Sequence, residues 1–165
     1  MKKAYFAGGC FWCITPIFKI YKASSVISGY SGGDEVNPKY EDVKAQRTGH
    51  RETICVEYDE SQTDYETLLE IYLANVDPFD AEGQFIDKGY SYTLAIYYTD
   101  ESQHEAAQKA LNALRQGSGK EPAIALEPFK SFYPAEEYHQ DYYLKNPEAF
   151  KKELEESGRN KYFDN

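Results

Sequence analysis

The chain has 165 residues, enough for a single domain over residues 1–165 with a substantial core, and 41% of them are hydrophobic, which excludes a disordered tail. Asp and Glu number 28 against 18 Lys and Arg, and the resulting charge of −10 repels phosphate backbones and anionic lipid, so no nucleic-acid or membrane partner is expected. No stretch approaches the ~20 apolar residues of a membrane span. In chain order, KKAYFAGG (2–9) reads as a short buried strand ended by glycines, and Phe11 to about Tyr21 as a helix. Pro16 sits awkwardly there because it has no N–H to donate to Trp12: either the first turn is kinked, or Thr15 caps a helix that begins at Pro16. Residues 24–50 are rich in glycine and turn formers and read as a long functional loop with one helical turn at Tyr40–Ala45.

RETICVEYD (51–59) alternates and is rich in β-formers, so it is a strand. TDYETLLEIYLANV (63–76) opens on the capping box Thr63-x-x-Glu66 and continues at helical spacing. YSYTLAIYYT (90–99) is a second clear strand, and DESQHEAAQKALNALRQGSG (100–119) a helix stopped at Gly117. AIALEPF (123–129) is a strand, and PEAFKKELEES (147–157) a terminal helix. The alternation predicts an α/β (α+β) fold: a two-layer sandwich with a ferredoxin-like core, a mixed sheet and an irregular C-terminal segment.

Three cysteines, Cys10, Cys13 and Cys55, are too few and odd in number for a secreted disulfide framework. MKKAYFAGGC resembles a bacterial lipoprotein start, but its apolar segment is about four residues, against the roughly 7–15 of an export signal. A cytoplasmic protein with reduced thiols is expected.

Strand, two glycines, cysteine, helix: this order puts Cys10 at a helix N-terminus, where unpaired N–H groups and the macrodipole favour a reactive thiolate. Phe11 and Trp12 would wall the sulfur with apolar surface. Other readings of the same residues are a small buried cysteine, a zinc site from Cys10, Cys13, Cys55 and His50, and a thioredoxin-like CxxC dithiol. The motif alone does not separate the last from a single nucleophile.

GCFW (9–12), GYSGG (29–33), NPKYEDV (37–43), TGHRE (48–52) and FYPAEEYHQDYY (132–143) occur in one order and spacing. Together they resemble the A-type peptide methionine sulfoxide reductases over residues 3–147. The resemblance implies that Cys10 attacks the sulfoxide sulfur, that Phe11 and Trp12 hold its methyl group, and that Tyr40 and Glu52 belong to the site. A DxGxxY pattern, here DKGYSY, adds Asp87 and Tyr92. It further implies reduction of the S-epimer, in proteins and as the free amino acid, without metal or cofactor, by a monomer recycled by thioredoxin or dithiothreitol.

The chemistry asks for the same inventory. Sulfoxide oxygen leaves only when protonated, so a carboxylic acid kept neutral by burial is useful, and phenols can steady the developing S–O⁻. The sequence departs from the family where Lys44 stands in place of a cysteine found in many members, where the tail GRNKYFDN carries none, and where GYSYTL replaces the familiar GTQYRS. For recycling, Cys13 is the nearer thiol, because residues three apart on a helical turn have Cα atoms about 5 Å apart, within disulfide range. Cys55, three residues beyond Glu52 on a strand, would face away from it. Attack by an external thiol, or a general CxxC disulfide oxidoreductase, are the alternatives. His50 reads as packing before Glu52, His104 as solvated, and His139 as making a structural hydrogen bond.

Overall fold

The computed structural model describes residues 1–20 and 23–157. Its elements are β1 (Lys2–Gly8), α1 (Phe11–Ile20), β2 (Ser25–Ser31), α2 (Tyr40–Lys44), β3 (Arg51–Tyr58), α3 (Tyr65–Ala74), β4 (Gly83–Gln84), β5 (Asp87–Lys88), β6 (Leu94–Tyr98), α4 (Glu101–Ser118), β7 (Ile124–Pro128), β8 (Phe132–Pro134), α5 (Tyr142–Lys145) and α6 (Pro147–Ser157). Six strands form one sheet in the order β7-β6-β1-β3-β2-β8, and β4 and β5 make a small separate hairpin. All pairs in the large sheet are antiparallel except β6 with β7. The run β1-α1-β2-β3-α3-β6 with strand order β6-β1-β3-β2 is the split β-α-β arrangement expected, extended at each edge by one strand.

Packing places the helices on the face of β1 and β3 that carries Phe6, Ile54 and Val56. The Phe6 ring stacks against Phe18 of α1 and Tyr65 and Tyr72 of α3, and the Tyr72 hydroxyl donates to the Ala7 carbonyl at 2.6 Å. Each buried aromatic of this kind stabilises the fold by about 1.5–3 kcal/mol, and together they fix where β1 ends and α1 begins. The other face carries Tyr5, Ala7, Cys55, Ala95 and Tyr97, covered by Phe129 and Phe132. Among the described residues no helix is long and apolar enough to cross a membrane.

Several boundaries differ from the sequence expectation. The loop expected over residues 24–50 contains β2, a strand interrupted by serines and a glycine, between β3 and β8. Gly29 explains its composition: a Cβ there would lie 2.5 Å from both the Phe132 ring and the Tyr133 carbonyl, so β8 can approach only a bare backbone. The helical turn expected at Tyr40–Ala45 is α2.

Helix α1 runs through Pro16 rather than starting at it, and Thr15 is not a cap. Its hydroxyl donates back to the Phe11 carbonyl at 2.7 Å, beside the hydrogen bond that Pro16 cannot make. Tyr21 lies outside the described residues. The cap of α3 is Asp64, whose carboxylate accepts from Thr67 N–H at 2.8 Å; Thr63 is one residue early, in a turn closed by its own N–H on the Asp59 carbonyl. Helix α4 passes Gly117 and ends at Gly119, which takes the left-handed conformation at φ 71°. The strand expected from Tyr90 starts at Leu94, because residues Tyr90–Tyr92 form a 3₁₀ turn pinned by the Gln46 amide on Ser91 N–H and Oγ.

Candidate active site

Strand β1 ends at Gly8, Gly9 turns the chain with φ 85°, and Cys10 then precedes the first residue of α1. Cys13 N–H donates to the Cys10 carbonyl at 3.1 Å, so the first turn is intact despite Pro16. Both thiols are buried, and with Tyr92 they form a small cluster under Trp12 and Leu154.

Strand β3 brings Glu52 to the same spot. Its carboxyl is 1% exposed and accepts from Phe11 N–H, one of the free donors of the helix start, at 3.1 Å. Burial pushes its pKa up to about 8, with Asp87 and Cys13 adding to the rise and the Phe11 N–H and Lys44 opposing it. The group is therefore a neutral acid at pH 7. Tyr92 from the 3₁₀ turn and Tyr40 from α2 stand close by, and burial followed by the charge of Glu52 holds both phenols far above their ordinary range, so they are O–H donors.

The thiol differs from the sequence expectation of a thiolate. The hydrogen bond with Cys13, then burial, then the nearby carboxyls hold the Cys10 pKa well above that of a free cysteine. Desolvation and negative neighbours outweigh the attraction of the helix start. Asp87, presented by the β4–β5 hairpin, and Glu153 of α6 each bring a carboxylate oxygen to a cluster with the Cys10 sulfur in which all three atoms lie within 4.8 Å.

An aromatic wall surrounds this acid–thiol pair. Trp12 stacks on Tyr142 at 4.0 Å and 12°, and its indole N–H donates to His139 Nδ1 at 3.0 Å. The His139 ring also packs on Phe11 and Tyr40, and burial lowers its pKa, so it is a neutral imidazole with the proton on Nε2. That Nε2 is buried and has no hydrogen-bond partner among the described residues.

Eight residues singled out in the sequence, Cys10, Phe11, Trp12, Cys13, Tyr40, Glu52, Asp87 and Tyr92, thus meet in one place. The zinc set does not. Cys55 lies on the opposite face of the sheet, and both nitrogens of His50 are engaged, with Gly33 N–H at 3.2 Å and the Glu35 carbonyl at 2.8 Å. His50 is the packing residue expected. His104 is half-buried rather than solvated, stacked on Tyr98 at 4.3 Å.

A family model described as peptide methionine sulfoxide reductase matches residues 2–165. The chain belongs to that family. The curated peptide methionine sulfoxide reductase MsrA 2 of Staphylococcus aureus is 46% identical over 169 residues, covering 99% of this chain and 96% of its own. The peptide methionine sulfoxide reductase MsrA of Halalkalibacterium halodurans is 44% identical, covering 98% and 94%. Among solved structures, reduced Mxr1 from Saccharomyces cerevisiae superposes with a TM-score of 0.84 at 28% identity over 89% of this chain and 86% of that one. The methionine sulfoxide reductase A of Corynebacterium diphtheriae gives 0.78 at 26% identity, over 88% and 75%.

Within this member of the peptide methionine sulfoxide reductase family, sequence reasoning missed how the segment 132–143 builds the site. Glu136 accepts from the Tyr30 hydroxyl at 2.8 Å and from Tyr40 N–H at 3.1 Å, which fixes α2. Gln140 bonds both the N–H and the carbonyl of Ser28, at 3.0 and 2.9 Å, and that carbonyl also accepts from Ala135 N–H at 2.8 Å. The density of aromatic and amide side chains in FYPAEEYHQDYY was the available signal. Glu153 and Leu154 carried none beyond lying in an amphipathic helix.

Proposed function

We propose that the chain reduces methionine sulfoxide to methionine, in proteins and as the free amino acid, taking the S-epimer. The observation that carries this reading is a buried, neutral Glu52 carboxyl tied to the backbone beside the Cys10 thiol. Cys10 sulfur attacks the sulfoxide sulfur, Glu52 delivers its proton to the oxygen and its carboxylate then takes up the proton that the thiol releases, and Tyr40 and Tyr92 donate hydrogen bonds to that oxygen. The S–O bond breaks as oxygen passes to Cys10: thiol and sulfoxide become sulfenic acid and thioether. Phe11 and Trp12 exclude water and accept the methyl group, and Asp87 edges the pocket. The electrons come from the thiol, so the chemistry asks for no prosthetic group. Incubation with a racemic methyl sulfoxide peptide and dithiothreitol is the test. Consumption should stop at half with one epimer gone; disulfide reduction in insulin without sulfoxide loss would favour the CxxC oxidoreductase reading instead.

Recycling follows from the hydrogen-bonded thiol pair. We assign Cys13 as the resolving thiol: it attacks the sulfenic acid, water leaves, and a thioredoxin dithiol reduces the resulting disulfide. The intact first turn of α1 supports this, with Cα atoms about 5 Å apart. Reduced enzyme treated with sulfoxide and no reductant should yield a Cys10–Cys13 bridge on peptide mapping, and Cys13→Ser should accumulate a dimedone-reactive sulfenic acid after one turnover. A Cys10–Cys55 bridge, or full thioredoxin-driven turnover by Cys13→Ser, would overturn the assignment.

A further inference from the structure

Tyr92 is presented by a 3₁₀ turn of 3 residues, and so short an element holds its place only through contacts from outside. At its C-terminal end, Arg51 Nε donates to the Thr93 hydroxyl at 2.9 Å, and the guanidinium lies 4.6 Å from the centre of the Tyr90 ring. Its middle residue, Ser91, meets Gln46, which follows the end of α2. Gln46 Oε1 accepts from Ser91 N–H at 2.9 Å, while Nε2 donates to the Ser91 hydroxyl at 2.8 Å and to the Lys44 carbonyl at 3.0 Å. One amide uses its acceptor and both donors to tie the end of α2 to the turn.

The surroundings are fitted to that amide. Gln46 has a left-handed backbone with φ 63°, a conformation that favours glycine, yet the position carries a side chain. A residue held there by three hydrogen bonds is over-determined by its neighbours. Gly89 takes φ 128°, and a Cβ on it would lie 2.7 Å from Gln46 Nε2, so a bare backbone leaves room for the amide. Ser91 is 1% exposed, and without Gln46 its N–H and hydroxyl would lose these bonds while buried. The change from GTQYRS to GYSYTL falls at this contact, where the short side chain of Ser91 reaches α2 only through Gln46.

We propose that Gln46 is a positioning residue for the reductase step: its amide sets the Tyr90–Tyr92 turn so that the Tyr92 hydroxyl points at the sulfoxide oxygen. The inference rests on the reductase reading above, with Tyr92 as a donor. Tyr40 has an anchor of its own, since its N–H donates to Glu136 at 3.1 Å, so the amide acts through Tyr92. A donor to a developing S–O⁻ works only from the right place, and its displacement slows the chemical step rather than weakening binding.

Single-turnover methionine formation from a methyl sulfoxide peptide, and KM with dithiothreitol, would be measured for Gln46→Gly and Gln46→Met. Each would be made alone, with Tyr92→Phe and with Tyr40→Phe. Glycine relaxes the left-handed backbone, methionine keeps the side-chain length and the strain, and both lack the amide. Alone, each should be about tenfold slower with KM unchanged, a part of the ~10²–10³ that one lost donor can cost. With Tyr92→Phe, where no hydroxyl is left to position, the same changes should cost less than about twofold. With Tyr40→Phe the full loss should persist. Equal losses with and without the Tyr92 hydroxyl, a raised KM in place of the slower step, a loss in only one of the two variants, or unaltered rates would each overturn the proposal. Tyr92→Phe at the wild-type rate would remove Tyr92 from the donors and this inference with it. A wild type that reduces no sulfoxide would overturn the reductase reading itself.

Discussion

Cys10→Ser is expected to lose at least ~10⁴-fold in sulfoxide reduction, even with excess dithiothreitol, because no other group at the site can accept the oxygen. The hydroxyl replaces the thiol with little change of shape, so the variant should fold with a melting temperature close to the wild type. What it loses is chemical: a neutral buried hydroxyl does not attack sulfur, and its oxygen cannot pass to a sulfenic acid. Cys13 does not substitute for it, since it sits a turn further along α1 while Glu52 is tied to the helix start through Phe11 N–H. Cys55→Ser is the control. That residue faces Tyr5 and Tyr97 across the sheet, and its replacement should keep the wild-type rate. Single-turnover methionine formation measures both, and substantial turnover by Cys10→Ser would remove Cys10 as the nucleophile.

The legible parts of this molecule are those where local chemistry and tertiary demand coincide. β3 alternates because one face meets the helices and the other Tyr5 and Tyr97, so both the strand and the sidedness of Cys55 could be read from RETICVEY. The alternation of helices and strands followed from their periodicities, but the ferredoxin-like order also needs β2. β2 was hidden for the opposite reason. Its sequence, SVISGYS, was chosen by a neighbour, since Phe132 and Tyr133 press on Gly29 from β8 about a hundred residues away. Serine and glycine on either side of Val26, Ile27 and Tyr30 give the segment the composition of a loop.

The site divides in the same way. Cys10 was readable from the strand–glycine–helix order, whereas Glu52, Tyr40, Asp87 and Tyr92 were reached only through the family resemblance of the motifs that contain them. Its proton inventory was readable only in part. Burial of Glu52 follows from its strand, whereas the raised thiol of Cys10 depends on Cys13, Asp87 and Glu52 all converging, and Glu153 belongs to a helix that looks ordinary in sequence.

Glu52→Gln should lower the single-turnover rate about 10²–10⁴-fold, the usual range for a missing general acid. The glutamine can still accept from Phe11 N–H and keeps the side-chain volume, so geometry is preserved while the transferable proton is lost. In the wild type the acid is present below its pKa of about 8, and the rate should fall as pH rises through that value; the variant should lack this limb. The same proton sets a stability difference of known sign. Unfolded, the carboxyl titrates near about 4.3; folded, it holds its proton to about 8. Between those values the folded state keeps a proton that the unfolded chain has released, so stability is fully present below the lower value, declines as pH rises, and levels off above the upper one. At neutral pH the loss amounts to roughly 4 kcal/mol, and a glutamine does not incur it. Glu52→Gln should therefore be slower yet melt higher than the wild type at pH 8, with the gap in melting temperature closing toward pH 5. Thermal unfolding across that range checks the stability limb and stopped single turnovers check the rate. A basic limb that survives in the variant would move the proton-donor role to Tyr40 and Tyr92, whose phenols are the remaining donors beside the sulfur.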